Sequence, residues 1–310
     1  MTSEQVALAP RRQAYWQTAL TLAVLLGSGY LAHRHWPVLH TGAVRLAVAD
    51  QGWLLLGAVA AGGTWVCAAL AQQGAVLRRL PPGRLLAAQF AATAANQLLP
   101  AGVGAGAVNL RFLMRRGLPV GRAAAALAVK AAAGAVVRGA LIAVLAAVCP
   151  GVLRVPRVSG GVVAAAVAVA LLLLGIPLWR RCRPALTAVA ADIRVLHARP
   201  ARATALWGGS FAFVALHSLV LIAVTRAVAL SLAPARVALL YLAASSAAAL
   251  LPTPGGLGSL DAALAFALTI AGAPGVAAAS VVLGYRLLTV WLPLLPGLVV
   301  LGALVRRKAL

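Results

Sequence analysis

The chain has 310 residues, 63% of them hydrophobic, and 27 lysines and arginines stand against only four acids for a formal charge of +23. So apolar a composition excludes a soluble globular domain. The cations are scattered between apolar runs instead of gathering with stacking aromatics on a polar face, which excludes a nucleic-acid reader. Membrane topology accounts for them, with attraction to anionic headgroups of about 1 kcal/mol per surface Lys or Arg.

In chain order, the polar start MTSEQVALAPRR leads into an apolar run over 14 to 32 without a small-residue cleavage site, so an uncleaved first helix is expected. Further runs of membrane-crossing length cover 52 to 72, 122 to 148, 160 to 178, 204 to 225 and 275 to 305. The last is long for one straight span, and Pro293 and Pro296 are expected to kink or divide it. His33, Trp36, His35 and His40 fall in a first connecting loop, read as a solvated interfacial segment in preference to a metal site. Trp16, Trp36, Trp53, Trp179, Trp207 and Trp291 lie near span ends, as an interfacial aromatic belt requires. Residues 181 to 203 form the longest polar connection and are too few to fold alone, so no soluble catalytic domain is expected; an integral-membrane transferase ranks third, set back by the lack of paired acids or a metal constellation, and no enzyme is expected. Cys67, Cys149 and Cys182 have no metal or redox spacing and read as apolar fillers.

Two segments, 85 to 110 and 236 to 274, are apolar but interrupted. LLPAGVGAGAVN at Leu98 to Asn109 recurs in outline as LLPTPGGLGSLD at Leu250 to Asp261, an offset of 152 residues. Helix breaks at bilayer depth persist only where protein or a water-filled cavity satisfies the freed backbone groups, and paired breaks in two halves mark a transporter-like site. Each segment is read as a re-entrant pair of half-helices, the longer second one alternatively as two full spans. With both re-entrant and the amino terminus cytoplasmic, 18 basic residues lie inside and six outside, with Lys130, Arg138 and Arg286 at membrane depth. Both termini are then cytoplasmic in a bacterial-type inner membrane. The fold expected is all-α and polytopic, a single domain of six to eight transmembrane helices whose halves, 52 to 148 and 204 to 305, form an inverted repeat.

Ionisable residues at this depth are functional candidates by default. Asp261, three residues beyond Gly258, either caps a half-helix that starts at Ser259 or carries function, and its position at a half-helix start allows both. Arg286 stands roughly 16 Å into its span and needs a partner: Asp261 within the protein, or a lipid phosphate held by two parallel hydrogen bonds. Lys130 and Arg138 lie about 12 Å apart on one helix face, with snorkelling to the interface expected more for Arg138 than for Lys130. His217 reads as a hydrogen-bonded core histidine. Gly256 and Gly258 are expected in a non-helical break that only glycine tolerates. No nucleotide loop, catalytic triad, paired carboxylate site or HExxH motif occurs, so no cofactor or metal is expected.

The segments LPTPGGLGSLDAAL (Leu251 to Leu264) and GYRLLTVWLPLLPG (Gly284 to Gly297) resemble the signature of the lysylphosphatidylglycerol synthase transmembrane family, the flippase-like integral membrane proteins. The matching positions are Pro252, Pro254, Gly255, Gly256, Gly258, Asp261, Tyr285, Arg286, Pro293 and Gly297, with Asp261 where glutamate is commoner. NQLLPAGVGAGAVNLRFLMRRGLP resembles the family's other block, but Gly106 and Asn109 stand where it often has charges, leaving Arg111 and Lys130 as neighbours. The chain ends at Leu310 without the soluble aminoacyl-transfer domain of bifunctional members, so lysyl transfer is not implied. What the resemblance implies is a flippase-like protein moving or binding a phosphate-bearing lipid, with membrane phospholipids or lipid-linked headgroups as partners. The alternative is a non-transporting accessory or scaffold for a membrane enzyme that modifies lipids or transfers glycosyl groups.

Overall fold

The computed structural model describes residues 36–98, 103–149, 194, 197–249, 253, 256 and 258–306, and every regular element among them is helical. The spans expected at 14 to 32 and 160 to 178 lie outside the described residues. Four of the described helices are long and apolar enough to cross a membrane: Gln51–Gly74, Val120–Val148, Pro200–Ala227 and the composite Gly275–Leu304. These coincide with four of the spans expected from sequence.

Residues 33 to 51, expected as a loop, instead contain a helix, α1 (Trp36–Ala47). A helix satisfies its own backbone groups, which a loop at the membrane boundary does not, and α1 packs on a later helix through Leu46. Asp50 then caps α2 (Gln51–Gly74), its side chain accepting from the Trp53 N–H at 3.1 Å, while the Asp50 N–H donates to the Ala227 carbonyl.

That last bond ties α2 to the far end of α6 (Pro200–Ala227), and the two run antiparallel in close contact. Small residues make this possible. A Cβ on Gly74 would stand 2.3 Å from the Leu206 nitrogen, and one on Gly209 would stand 2.7 Å from the Ala71 nitrogen. In a membrane the attraction between helices comes from close backbone packing, which small residues permit. The opposite face of α2 carries Leu55, Val59, Val66 and Leu70, all exposed and spaced along one side of the helix as a lipid-facing surface requires.

Both interrupted segments are helical hairpins. α3 (Pro82–Leu98) folds back on α4 (Val103–Arg115), and α7 (Pro234–Ala248) on α8 (Ser259–Ile270). Between the hairpins in sequence come the long α5 (Val120–Val148) and α6. The final span is α9 (Gly275–Arg286), a π-helical turn Leu287–Trp291 and α10 (Leu292–Arg306). The irregularity expected at the prolines thus lies one turn before Pro293. Proline's ring clashes with the carbonyl four residues earlier, here Thr289, and the wider turn relieves it by pairing the Leu292 N–H with the Leu287 carbonyl.

Most buried apolar side chains fall in two clusters, a large one on α2 and α6 to α9 and another on α3, α4 and the start of α5, the latter also contacted by α10; a small third one joins Ala75, Ala133 and Leu206. The space between these two cores is where the polar side chains of the membrane region meet.

Candidate functional site

The second hairpin is built around two glycines. Gly256 has φ +69° and Gly258 φ +80°, in the left-handed half of backbone space where a side chain is strained. Helix α8 starts immediately after, and its first turn is closed from both sides. Asp261 Oδ2 accepts the Gly258 N–H at 2.9 Å, and the Gly258 carbonyl accepts the Ala262 N–H at 2.9 Å. The Thr253 and Ser259 hydroxyls, 2.7 Å apart, cross-link the connection. Pro252, Pro254 and Gly255 lie outside the described residues. A methyl group on Gly256 or Gly258 should cost roughly 1–3 kcal/mol through backbone strain. Gly258→Ala should accordingly lower the thermal midpoint in detergent, and an unchanged midpoint would show that the turn relaxes freely.

The other oxygen of Asp261 accepts from Nε of Arg286, forming a salt bridge, and the same guanidinium donates through Nη2 to the Gly256 carbonyl. The capping and ion-pairing roles of Asp261 therefore coexist on its two oxygens. Arg286 is buried, at 5% exposure. It is fixed by its place at the end of α9, one residue after Tyr285, whose hydroxyl lies 3.3 Å from that of Tyr241 on α7.

Arg286 and Tyr285 line a cavity of about 730 Å³ that also receives Lys130 and Arg138 from α5. The volume is within the ordinary range for a small-molecule site. Lys130 Nζ donates to Gln72 Oε1 at 3.0 Å and Gln89 Oε1 at 3.3 Å, and Gln89 in turn donates to Asn109 Oδ1 at 2.9 Å. Arg138 donates to the Ser245 hydroxyl at 3.0 Å. Arg138, of the two the one more expected to snorkel, thus turns inward with Lys130. Eight residues place the two nearly on one face of α5, and Ser245 offers the guanidinium an acceptor inside the protein.

Not every residue singled out from sequence arrives here. Arg111 is exposed and off the cavity, because on α4 it stands two residues beyond Asn109 and so points to another side of the helix. Asn109 is buried and lines the cavity. His217, as expected, bonds a carbonyl of its own helix, that of Phe213 at 3.0 Å, and its ring also borders the cavity.

A polar stripe on α3 was not anticipated. Gln89, Thr93, Asn96 and Gln97 all line the cavity, spaced by four, three and one residues. The Thr93 hydroxyl accepts the indole N–H of Trp65, and that ring stacks on Phe90 at 4.1 Å. The signal was in AAQFAATAANQL, where helical spacing gathers the amides on one side of an otherwise alanine-rich helix.

The electrostatic sum of the site is lopsided. Asp261 neutralises Arg286, but among the described residues Lys130 and Arg138 donate to neutral oxygens, and no acidic side chain there lines the cavity. A buried cation whose partners are amides and hydroxyls attracts an anion more strongly than one already paired, because the low-dielectric surroundings weaken screening.

A comparison with curated proteins returned no match. Residues 19–297 match the family model described as the lysylphosphatidylglycerol synthase TM region. That range takes in both hairpins, the cavity and the Asp261–Arg286 pair, and so the chain belongs to the lysylphosphatidylglycerol synthase TM-region family, as a multi-pass membrane protein of lipid-related function.

Proposed function

We propose that this protein receives the phosphate-bearing headgroup of a lipid in the cavity between its two cores and carries it from one leaflet to the other. The observation that carries the reading is the charge of Lys130 and Arg138, which no carboxylate among the described residues lining the cavity offsets. A phosphate is the complementary ligand: guanidinium binds it through two parallel hydrogen bonds, and ammonium as a point charge. The reading assigns the chain no bond-breaking step and no cofactor.

Two features support an inverted relation between residues 52 to 148 and 204 to 305. Their leading helices, α2 and α6, run antiparallel, as equivalent helices of inverted halves must. Asn109 and Asp261 also occupy matching positions at the 152-residue offset, each in the second helix of its hairpin, mid-helix for Asn109 and in the first turn for Asp261, and each linked toward a cation, Lys130 through Gln89 and Arg286 directly. Rocking of such halves about a central site is the geometry of alternating access.

The test is leaflet-specific transfer of fluorescent phosphatidylglycerol, against a neutral glycolipid, in proteoliposomes of the purified full chain. Wild type should accelerate the phospholipid selectively. The double substitution Lys130→Gln, Arg138→Gln should slow it at least about tenfold, since charge-assisted hydrogen bonds contribute roughly 1.5–3 kcal/mol each. Retained phospholipid binding with no transfer in wild type would overturn the transport reading in favour of the accessory one.

A further inference from the structure

The cavity wall beside Lys130 has its own chemistry. Along α3 the amides of Gln89, Asn96 and Gln97 extend for about 12 Å, eight residues at 1.5 Å each, and Gln72 joins them from α2. Gln89 is committed to holding Lys130 and Asn109. The others are not fully committed. Among the described residues Asn96 Oδ1 and Gln97 Oε1 have no hydrogen-bond partner, and Gln72, only 1% exposed, has none there for its Nε2.

Buried amide groups without partners are costly in a native interior and rare, and clustering of three of them on one cavity calls for a ligand that completes them. An amide offers both donors and an acceptor, which matches a hydroxyl, itself donor and acceptor. Rotation about the last side-chain torsion is soft, so these amides can turn toward a ligand at little cost. An ammonium-bearing headgroup is the poorer match. It would enter beside Lys130 and Arg138 with no carboxylate among the described lining residues to receive it, and like charges in such surroundings repel.

We infer that the headgroup is a phosphate joined to a polyhydroxylated moiety, a polyol or glycosyl phosphate, with the phosphate at Lys130 and Arg138 and the hydroxyls along Gln72, Asn96 and Gln97. The inference rests on the lipid-transfer reading and narrows its substrate class.

The experiment compares leaflet transfer of three labelled lipids by the wild-type chain in proteoliposomes: phosphatidylinositol, phosphatidic acid and phosphatidylethanolamine. Phosphatidylinositol should move about tenfold faster than either of the others, the equivalent of one otherwise unsatisfied buried polar group. Asn96→Ala together with Gln97→Ala should collapse that preference toward unity. The wild-type comparison stands by itself if the variant folds poorly. Equal rates for phosphatidylinositol and phosphatidic acid, or a preference for the amine lipid, would overturn the inference while leaving lipid transfer intact. A parallel arm follows release of vesicle-entrapped glucose 1-phosphate. Release without transfer of any lipid would keep the polyol-phosphate chemistry and overturn the lipid reading, whereas no movement of either would overturn both.

Discussion

Asp261→Asn should damage folding more than Arg286→Gln, and the double substitution should recover much of the loss. The reason lies in unequal burial: the guanidinium side chain is 6% exposed and the carboxylate 30%. Removing one partner of a buried pair costs about 3–5 kcal/mol because the remaining charge is stranded. A stranded carboxylate here keeps partial access to surroundings and the Gly258 N–H, while the guanidinium, though it still donates to the Gly256 carbonyl, is enclosed with its charge no longer neutralised by Asp261. Asparagine can still accept the Gly258 N–H, so the loss in Asp261→Asn reports the ion pair more than the cap. Membrane yield and thermal midpoint across the double-mutant cycle should give a coupling of roughly 2 kcal/mol or more. Additive losses would mean that the pair does not hold the second hairpin to α9.

Two glycines of the first hairpin should respond in opposite ways. A Cβ on Gly104 would stand 2.1 Å from the Ala95 carbonyl oxygen, a backbone atom that cannot turn aside. A Cβ on Gly106 would meet nothing within 4 Å. Gly104→Ala should therefore force α4 away from α3 at a cost above about 3 kcal/mol, beyond the usual range for overpacking. Gly106→Ala, on an exposed helical position, should change stability by less than about 1 kcal/mol, in the stabilising direction that loss of glycine's unfolded-state freedom favours. Thermal midpoints of the two variants in one detergent decide it. Equal midpoints would contradict the close approach of the hairpin arms.

These two sites also show what the sequence made legible. The Asp261–Arg286 pair was readable because a charge in apolar surroundings requires compensation, and Asp261, the acid placed at that depth, was the candidate within the protein beside a lipid phosphate. The turn at Gly256 and Gly258 was readable because proline and glycine interrupt a helix for stereochemical reasons that tertiary context does not remove. By contrast, the inward turn of Arg138 depends on Ser245, 107 residues away, and no local pattern announces that acceptor. The α3 stripe was hidden for another reason: isolated amides among alanines look like tolerated polar residues until the partner helices show that their common face is enclosed. Helix α1 was missed because polarity suggested a loop, whereas packing against α9 supplies the stability that a 12-residue helix lacks alone. The shift of the irregular turn from the prolines to Leu287–Trp291 follows from sterics acting one turn upstream, which the position of proline indicates only indirectly.

The central claim, that the cavity accepts a lipid phosphate, is tested most directly by an electron cryomicroscopy structure of the full chain in nanodiscs containing phosphatidylglycerol. The account predicts headgroup density in the cavity with phosphate oxygens within hydrogen-bond reach of Lys130 and Arg138, lost in the Lys130→Gln, Arg138→Gln variant. Headgroups confined to the bilayer surface around a wild-type cavity that holds only water would contradict it.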